Sequence, residues 1–304
     1  MKKRLPIYTT PEGRAQYLAA YEAMFSLWEV PYEAIDVKTK YGTTHINVSG
    51  PADGYPLVLL HAAGLSSTVW FTNIAELSAK HRVYAVDVIG DAGKSVADRL
   101  MMKRTDYAQW LREVFDGLNI ESCDLLGHSY GGWLTLNMAL AYPDRLRKIV
   151  LLAPAASFYP LGFITKLILY LAEFKIRPPA RTLLKVAASK GTVLEETFVH
   201  HMEMVSRYCL PATMFPTVYT NEELKQIDLP ALLLIGAGEK IYNPKKAIER
   251  AQRWMPELSA EIIPEAGHIL IMDQPEIINV RILKFLSSDE YQAYQCQRFK
   301  APQI

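Results

Sequence analysis

The stretch that decides the fold is Leu125-Leu126-Gly127-His128-Ser129-Tyr130-Gly131. An apolar run at residues 123–126 leads into residues 127–131, which fit the pattern G-x-S-x-G, and residues 133–142 then have the composition of a helix. A strand, a tight turn and a helix in this order are the context that the pattern needs to expose its serine. Glycine on both sides of the serine lets the strand and the helix approach closely. We therefore predict that Ser129 lies on a sharp turn between a strand and a helix.

Short apolar runs alternate with helical stretches on both sides of that turn. Alternating β and α segments imply a parallel sheet with helices on both faces. Continuously apolar runs are typical of strands that are buried on both faces. Ahead of them, two strand-like runs separated by Tyr41-Gly42 predict a hairpin, and residues 11–28 predict a helix. The result is an α/β fold with a mostly parallel sheet of eight strands, at residues 33–39, 44–49, 56–61, 82–88, 122–126, 148–153, 231–235 and 260–263.

One region, residues 155–227, breaks the alternation. It has no convincing strand pattern, and it has helical stretches at residues 163–176, 180–189 and 194–208 that proline and glycine separate. We interpret this region as a helical cap inserted over the sheet. Residues 1–154 and 228–304 would then form the core domain, ending in a polar helical tail after Leu286.

The composition is that of an ordinary globular protein. The 304 residues are 50% hydrophobic and 21% charged with a net charge of +1, which gives no electrostatic indication of a nucleic-acid partner. The most apolar segment, residues 158–174, is too short and too charged to span a bilayer. Cys123, Cys209 and Cys296 are too sparse for a disulfide framework or a zinc site, which favours a reduced, cytoplasmic setting.

A serine hydroxyl needs a neighbouring base to act as a nucleophile, and His268 is the candidate base. It follows the last predicted strand, whereas Glu239 follows the strand before it. The order serine, acid, histidine is the one that accompanies this motif on a parallel sheet. A carboxylate in this position orients the imidazole and stabilises the imidazolium that forms. Asp273 is the rival acid, and a solvated Glu239 paired with Lys240 is the structural alternative.

The tetrahedral oxyanion that follows attack by a serine needs two backbone N–H donors. One comes from Tyr130, directly after the nucleophile, and the other comes from the loop after the strand at residues 56–61. We assign the second donor to Ala63, although an ordinary strand-to-helix turn would have similar small residues. His61 ends that strand, and we expect it to make a buried structural hydrogen bond.

Residues 90–95 follow another strand and end like a phosphate-binding loop. The Walker pattern requires a glycine five residues before Gly93, and Val88 stands there. We therefore interpret residues 90–95 as a structural loop at the edge of the sheet.

Together these residues resemble the α/β-hydrolase superfamily over roughly residues 29–286. The matching motifs are His61-Ala62-Ala63-Gly64, residues 87–95, 127–131 and 236–239, and Gly267-His268. Residues 26–30, 41–45, 66–70 and 241–244 are similar, more narrowly, to the bacillus-type carboxylesterases typified by naproxen esterase. The resemblance implies the α/β-hydrolase fold and ester hydrolysis through an acyl-enzyme, with no cofactor and no metal.

Two positions depart from the superfamily pattern. Ala62 stands where glycine usually follows the histidine, and a positive φ there would strain an alanine. Glu239 stands where aspartate is usual, and its extra methylene requires a different path of the loop.

The expected function is that of a serine carboxylesterase acting on a small-molecule ester with an apolar moiety. Leu65, His128, Ile241 and Ile269 flank the catalytic positions and are candidate pocket walls. A homodimer is left open. The same machinery also serves lactone, carbon–carbon and amide hydrolysis and perhydrolysis. A protein that keeps these residues to bind a small ligand and signal, or one without activity, is a further alternative, because fold does not determine function.

Overall fold

A computed structural model describes residues 7–163, 165, 166 and 179–288 of the chain. Its centre is a single twisted sheet. The strands are β1 (Glu33–Thr39), β2 (Gly42–Ser49), β3 (Tyr55–Leu60), β4 (His81–Val86), β5 (Val96–Ala97), β6 (Cys123–His128), β7 (Leu146–Leu152), β8 (Ala231–Gly236) and β9 (Leu258–Ile263).

The strand order is β1-β2-β4-β3-β6-β7-β8-β9, and β5 pairs with β2. From β4 to β9 along this order every neighbouring pair is parallel, whereas the pairs that involve β1, β2 and β5 are antiparallel. The predicted α/β fold with a mostly parallel sheet is confirmed, with nine strands rather than eight. The additional strand, β5, has two residues, too few to produce a hydrophobic pattern.

The described α-helices lie between and around these strands. No helix of the described residues is long and apolar enough to cross a membrane. Their bounds are α1 (Pro11–Ala23), α2 (Ile74–Ser78), α3 (Arg104–Gly117), α4 (Tyr130–Ala141), α5 (Ala180–Ala187), α6 (Glu196–Tyr208), α7 (Asn221–Lys225), α8 (Pro244–Trp254), α9 (Leu270–Asp273) and α10 (Pro275–Ser287).

The central strands are apolar because both of their faces are covered. In β3, Val58 and Leu60 enter one hydrophobic cluster, whereas Leu57 and Leu59 enter another. This alternation follows from the two-residue period of a strand. All six residues of β8 are buried as well. The sheet therefore separates two cores, and its parallel strands place their carboxyl ends at a common edge, where sites of such sheets form.

The N-terminal elements match their predictions. β1 and β2 form the predicted hairpin, with Thr39 opposite Gly42, and the helix predicted at residues 11–28 is α1 followed by a 3-10 turn at Met24–Leu27. Tyr17 and Tyr21 of α1 are buried in one cluster with Met204 and Val205 of α6. The N-terminal helix is thus packed on the segment that connects β7 to β8.

We call residues 155–227 the cap segment. The helices predicted at residues 180–189 and 194–208 are confirmed as α5 and α6. Helix α7, which begins with a capping box between Thr220 and Glu223, was not predicted. The helix predicted at residues 163–176 and the tail predicted after Leu286 lie almost wholly outside the described residues.

The loop after β4 differs from its prediction. It does not lie beside an outermost strand of the sheet, because β4 is an interior strand between β2 and β3. Gly93 has a φ of +143° there, and the carboxylate of Asp87 accepts hydrogen bonds from the N–H groups of Lys94 at 2.7 Å and Ser67 at 2.8 Å. This loop is therefore bound to the loop after β3, which was expected to carry an oxyanion donor.

Candidate active site

Ser129 occupies the turn between β6 and α4. Its backbone has a φ of +52°, a left-handed conformation that residues other than glycine rarely adopt. The N–H of Ser129 donates to the carbonyl of Leu152 at 2.8 Å, and the carbonyl of Ser129 accepts from the N–H of Ala155 at 3.0 Å. These bonds from the end of β7 hold a strained turn in place, as is common at functional sites.

The glycines of the motif are required by close backbone contacts. A Cβ on Gly127 would lie 2.1 Å from the carbonyl oxygen of Gly131, and a Cβ on Gly131 would lie 2.0 Å from that of Leu60. Any side chain at either position would force the backbones apart. The predicted close approach of strand and helix is confirmed, and at Gly131 the helix also approaches β3.

Three polar side chains meet at this turn. The Nε2 atom of His268 lies 2.8 Å from the Oγ of Ser129, and its Nδ1 atom lies 2.6 Å from the Oε2 of Glu239. An ionised carboxylate only accepts hydrogen bonds, so Nδ1 carries the proton and Nε2 is free to accept the serine hydroxyl. The three residues are between 6% and 7% exposed. The structure thus brings together the residues that the sequence analysis grouped.

Glu239 is held by a second hydrogen bond. Its Oε1 atom accepts from the backbone N–H of Ile241 at 2.8 Å, and its side chain has no exposed surface. Each oxygen therefore has its own donor, and neither donor is Lys240. The extra methylene of glutamate is accommodated by this turn after β8.

Asp273, the rival acid, does not contact the imidazole of His268. Its Oδ2 atom accepts from the N–H of Gly267 at 2.6 Å, and its Oδ1 atom accepts from the N–H of Ser189 at 3.0 Å and the hydroxyl of Thr192 at 2.5 Å. It therefore binds the backbone beside His268 and the cap segment.

The two expected oxyanion donors follow the neighbouring strands β3 and β6. Ala63 follows β3 and Tyr130 follows Ser129, and no hydrogen bond from either N–H to the described part of the chain is found. By contrast, the N–H of Gly64 donates to the carboxylate of Asp91 at 3.0 Å. The strain considered for Ala62 is absent, because the positive φ of this loop, +71°, falls on Gly64.

His61 makes the buried structural hydrogen bond that its position predicted. Its Nε2 atom accepts from the N–H of Val88 at 2.9 Å, so that nitrogen is unprotonated. The proton is then on Nδ1, which donates to the carbonyl of Ala62 at 2.8 Å. We call residues 61–66, which carry the expected donor Ala63, the oxyanion loop. His61 thereby ties the start of this loop to the loop after β4.

Asp91 is a buried carboxyl that the sequence analysis did not single out. It has no exposed surface, and its Oδ1 atom accepts from the N–H groups of Gly64 and Ala92. Burial raises the pKa of Asp91 to about 6, although the nearby His61 and the two N–H donors oppose this shift. No sequence pattern indicates this residue, because Gly64 lies far away along the chain.

His128 lies against His268. Its Nε2–H donates to the carbonyl of His268 at 2.8 Å, and the two ring centres are 5.5 Å apart. Burial and the neighbouring His268 lower the pKa of His128 to about 3, so the ring is neutral near pH 7. We call residues 264–269 the histidine loop. His128 has no exposed surface, and its hydrogen bond is to the backbone of this loop.

The other candidate pocket residues, Leu65, Ile269 and Ile241, are buried or half-buried. Leu65 is packed in one cluster with Leu184 and Phe198 of the cap segment. Ile269 directly follows His268 and is 6% exposed. Ile241 is half-buried, and its carbonyl accepts from the N–H of Gly162 at 2.7 Å.

The site brings together a hydroxyl, an imidazole and a carboxylate. A hydroxyl that is hydrogen-bonded to an imidazole in this way can attack a carbonyl carbon. Among the described residues, no group of three or more His, Cys, Asp or Glu side chains is placed to hold a metal ion.

The fold and this site define an α/β hydrolase. A model of the Alpha/beta hydrolase family matches residues 57–279, and the chain belongs to that family.

Two relatives and one crystal structure are similar to this chain over most of its length. The chain is 40% identical over 281 residues to "Uncharacterized carboxylesterase nap" of Bacillus subtilis (strain 168), covering 90% of this chain and 93% of that protein. It is 37% identical over 286 residues to "Carboxylesterase YbfK" of the same organism, covering 92% of this chain and 96% of that protein. The crystal structure of naproxen esterase (carboxylesterase NP) from Bacillus subtilis matches with a TM-score of 0.86 and 37% identity, over 91% of this chain and 99% of that chain.

Proposed function

We propose that this chain is a serine carboxylesterase with Ser129 as nucleophile, His268 as general base and acid, and Glu239 as the carboxylate that orients His268. The observation that carries the proposal is the continuous path of hydrogen bonds from the Oγ of Ser129 through His268 to Glu239, at 2.8 Å and 2.6 Å. The similarity to two proteins named carboxylesterases supports the choice of an ester as substrate.

In the first half of the reaction, Ser129 attacks the carbonyl carbon of the ester. His268 takes the hydroxyl proton on Nε2, and Glu239 stabilises the imidazolium. The N–H groups of Tyr130 and Ala63 bind the oxyanion. One such donor contributes about 3–4 kcal/mol to stabilisation of the transition state. Collapse of the tetrahedral intermediate breaks the ester bond, and His268 gives its proton to the leaving alcohol.

In the second half, a water molecule attacks the acyl-enzyme. His268 takes one proton from this water as the hydroxide adds to the acyl carbon. A second tetrahedral intermediate forms against the same two donors. Its collapse releases the carboxylic acid, and the proton returns from His268 to the Oγ of Ser129.

We further propose that residues 155–227 act as a cap that shapes an apolar pocket, with residues 1–154 and 228–304 as the core. Leu184 and Phe198 of the cap segment belong to the hydrophobic cluster that includes Ala62 and Leu65. This packing supports a substrate with an apolar moiety near the oxyanion loop. Leu65, Ile241 and Ile269 are the proposed pocket walls, and the buried His128 is assigned to the support of His268.

The test is hydrolysis of short p-nitrophenyl esters by the wild-type protein and Ser129→Ala. We expect the substitution to lower kcat by a factor of about 10⁴ or more. A fluorophosphonate probe should label the wild-type protein on the peptide that contains Ser129. Near wild-type activity of Ser129→Ala would refute the proposal.

A wider substrate panel separates this function from its alternatives. Esters with acyl and alcohol parts of varied length are compared with lactones, amides and diketones. If a lactone, an amide or a diketone is hydrolysed with a larger kcat/KM than the esters, that class of compound replaces the ester as the proposed substrate. Labelling without turnover would favour a ligand-binding protein.

A cytoplasmic location stays a prediction from the sequence, and the homodimer stays open. Sedimentation equilibrium of the purified chain tests the homodimer directly.

A further inference from the structure

The cap segment contacts the loop of His268 through backbone atoms. The N–H of His268 donates to the carbonyl of Ala187, the last residue of α5, at 2.7 Å. A Cβ on Gly267 would lie 2.4 Å from that same oxygen and 3.2 Å from the nitrogen of Ser189. The two backbones therefore touch at a position where only glycine fits. We call residues 187–192 the cap turn.

Asp273 joins the same two segments. One of its oxygens, Oδ2, accepts from the N–H of Gly267 at 2.6 Å. The other, Oδ1, accepts from the N–H of Ser189 at 3.0 Å and from the hydroxyl of Thr192 at 2.5 Å. A single carboxylate thus holds the residue next to His268 with one oxygen and the cap turn with the other.

Two of the partners of Asp273, the backbone N–H groups of Gly267 and Ser189, can only donate, and they bond different oxygens, so both of its oxygens must accept. An asparagine offers one acceptor oxygen and one donor NH₂ group. In either orientation its NH₂ would face a backbone N–H, that of Gly267 or that of Ser189. The hydroxyl of Thr192 is less restrictive, because it can also donate to the carbonyl of Ser189 at 3.1 Å. The position therefore requires a carboxylate, since the neutral amide of equal size loses one side of the bridge.

We propose that Asp273 is a positioning residue that couples the cap turn to His268. This inference rests on the proposed function, because it concerns the alignment of the base of that reaction. Ala187 and Asp273 hold the backbone N–H groups of His268 and Gly267, while His128 holds the carbonyl of His268. The imidazole is aligned between Ser129 and Glu239 only while the cap turn is docked.

One consequence concerns how substrate enters. Opening the cap segment at the cap turn would release the N–H groups of His268 and Ile269, which donate to the carbonyl of Ala187 at 2.7 Å and 3.4 Å, and would disturb the base. This end of the cap segment therefore stays attached to the core during turnover. Substrate reaches Ser129 without separation of the cap turn from the histidine loop.

The experiment compares Asp273→Asn, Thr192→Val and Thr192→Ser with the wild-type protein. Asp53→Asn makes the same chemical change as Asp273→Asn at an exposed site and serves as the matched control. Ester hydrolysis gives kcat and KM, with kcat expressed per site titrated by the fluorophosphonate probe. Amide hydrogen exchange is followed in peptides that cover the cap turn and residues 264–270.

We expect Asp273→Asn to lower kcat per titrated site by about 10- to 100-fold, because small misplacements of a catalytic group have effects of this size. KM should change by less than about threefold, since no substrate contact is removed. Thr192→Val should lower kcat by about threefold to tenfold and speed exchange in both peptides. Thr192→Ser, which keeps the hydroxyl, and Asp53→Asn should behave as the wild-type protein.

A merely structural role gives a different result. In that case the variants have fewer titratable sites, kcat per site is unchanged, and Thr192→Val speeds exchange only in the cap turn. That outcome overturns the coupling and leaves the proposed function intact. Failure of the proposed function would be seen separately, as wild-type protein without esterase activity. If Asp273→Asn does not fold, Thr192→Val alone decides, because it removes one hydroxyl from a half-buried position.

Discussion

Gly131 and Leu60 are in backbone contact, so that a Cβ on Gly131 would lie 2.0 Å from the carbonyl oxygen of Leu60. This contact joins the start of α4 to the end of β3. It therefore determines how far the N–H of Tyr130 lies from that of Ala63, the two donors of the proposed oxyanion hole.

Gly131→Ala tests this contact. The added methyl group has no room, so α4 and β3 must move apart, which should cost about 1–3 kcal/mol of unfolding free energy. A displacement of about 1 Å between the two donors should also lower kcat/KM by about 100-fold. Urea denaturation and ester hydrolysis measure the two effects. Gly162→Ala is the control, because a Cβ there has one neighbour, the carbonyl oxygen of Ile241 at 3.3 Å, and needs a shift of only a few tenths of an ångström. An effect at Gly131 no larger than the effect at Gly162 would contradict the prediction.

Replacement of Glu239 tests the role of the carboxylate. Glu239→Gln should lower kcat by about 10³–10⁴, because the amide can favour the wrong tautomer of His268. Glu239→Asp keeps the charge but is one methylene too short to reach both Nδ1 of His268 and the N–H of Ile241. We expect an intermediate kcat for this variant. If the glutamine variant retains more than about a tenth of wild-type kcat, Glu239 does not have the proposed role.

Asp91 makes the stability of the protein depend on pH. Its folded-state pKa of about 6 is above the usual carboxyl range, so the ionised form is the costly one in the folded protein. As pH rises from the usual carboxyl range through about 6, ionisation of Asp91 therefore lowers the free energy of unfolding. In Asp91→Asn the amide oxygen can still accept from Gly64 and Ala92, but this charge is absent.

The measurement is urea denaturation of both proteins at about pH 5 and about pH 8. Between these values the wild-type protein should lose about 1 kcal/mol relative to Asp91→Asn. A constant difference between the two proteins would mean that the pKa of Asp91 is not raised.

Ala62→Gly tests whether alanine strains the oxyanion loop. Because Ala62 has no positive φ, glycine should relieve nothing and should cost about 0.4–1 kcal/mol through the entropy of the unfolded chain. Activity should stay within about twofold of wild type. Gly64→Ala is the matched comparison, since its φ is +71° and a Cβ there would meet no atom within 4 Å. It should lose about 1–2 kcal/mol from backbone strain alone. Higher stability of Ala62→Gly would show that the alanine is strained.

Much of the site was predictable because the fold places local motifs at one edge of the sheet. Ser129, Glu239 and His268 each follow a strand, and the carboxyl ends of parallel strands lie together. The roles of Asp91 and Asp273 were not predictable in this way. The partners of Asp91 include Gly64, and those of Asp273 include Thr192, both of which are distant in the chain. A hydrogen bond between such residues leaves no periodic pattern in the sequence.

The sequence by itself determined the α/β order of elements, the turn at Ser129 and the identity of the three polar side chains. Those properties depend on local spacing, on glycine at the turn and on apolar runs, all of which are read along the chain. Only the tertiary structure decided that the positive φ of the oxyanion loop falls on Gly64 rather than Ala62. Only the tertiary structure also decided that Asp273 binds the cap turn. Packing brings donors and acceptors together whatever their separation in sequence.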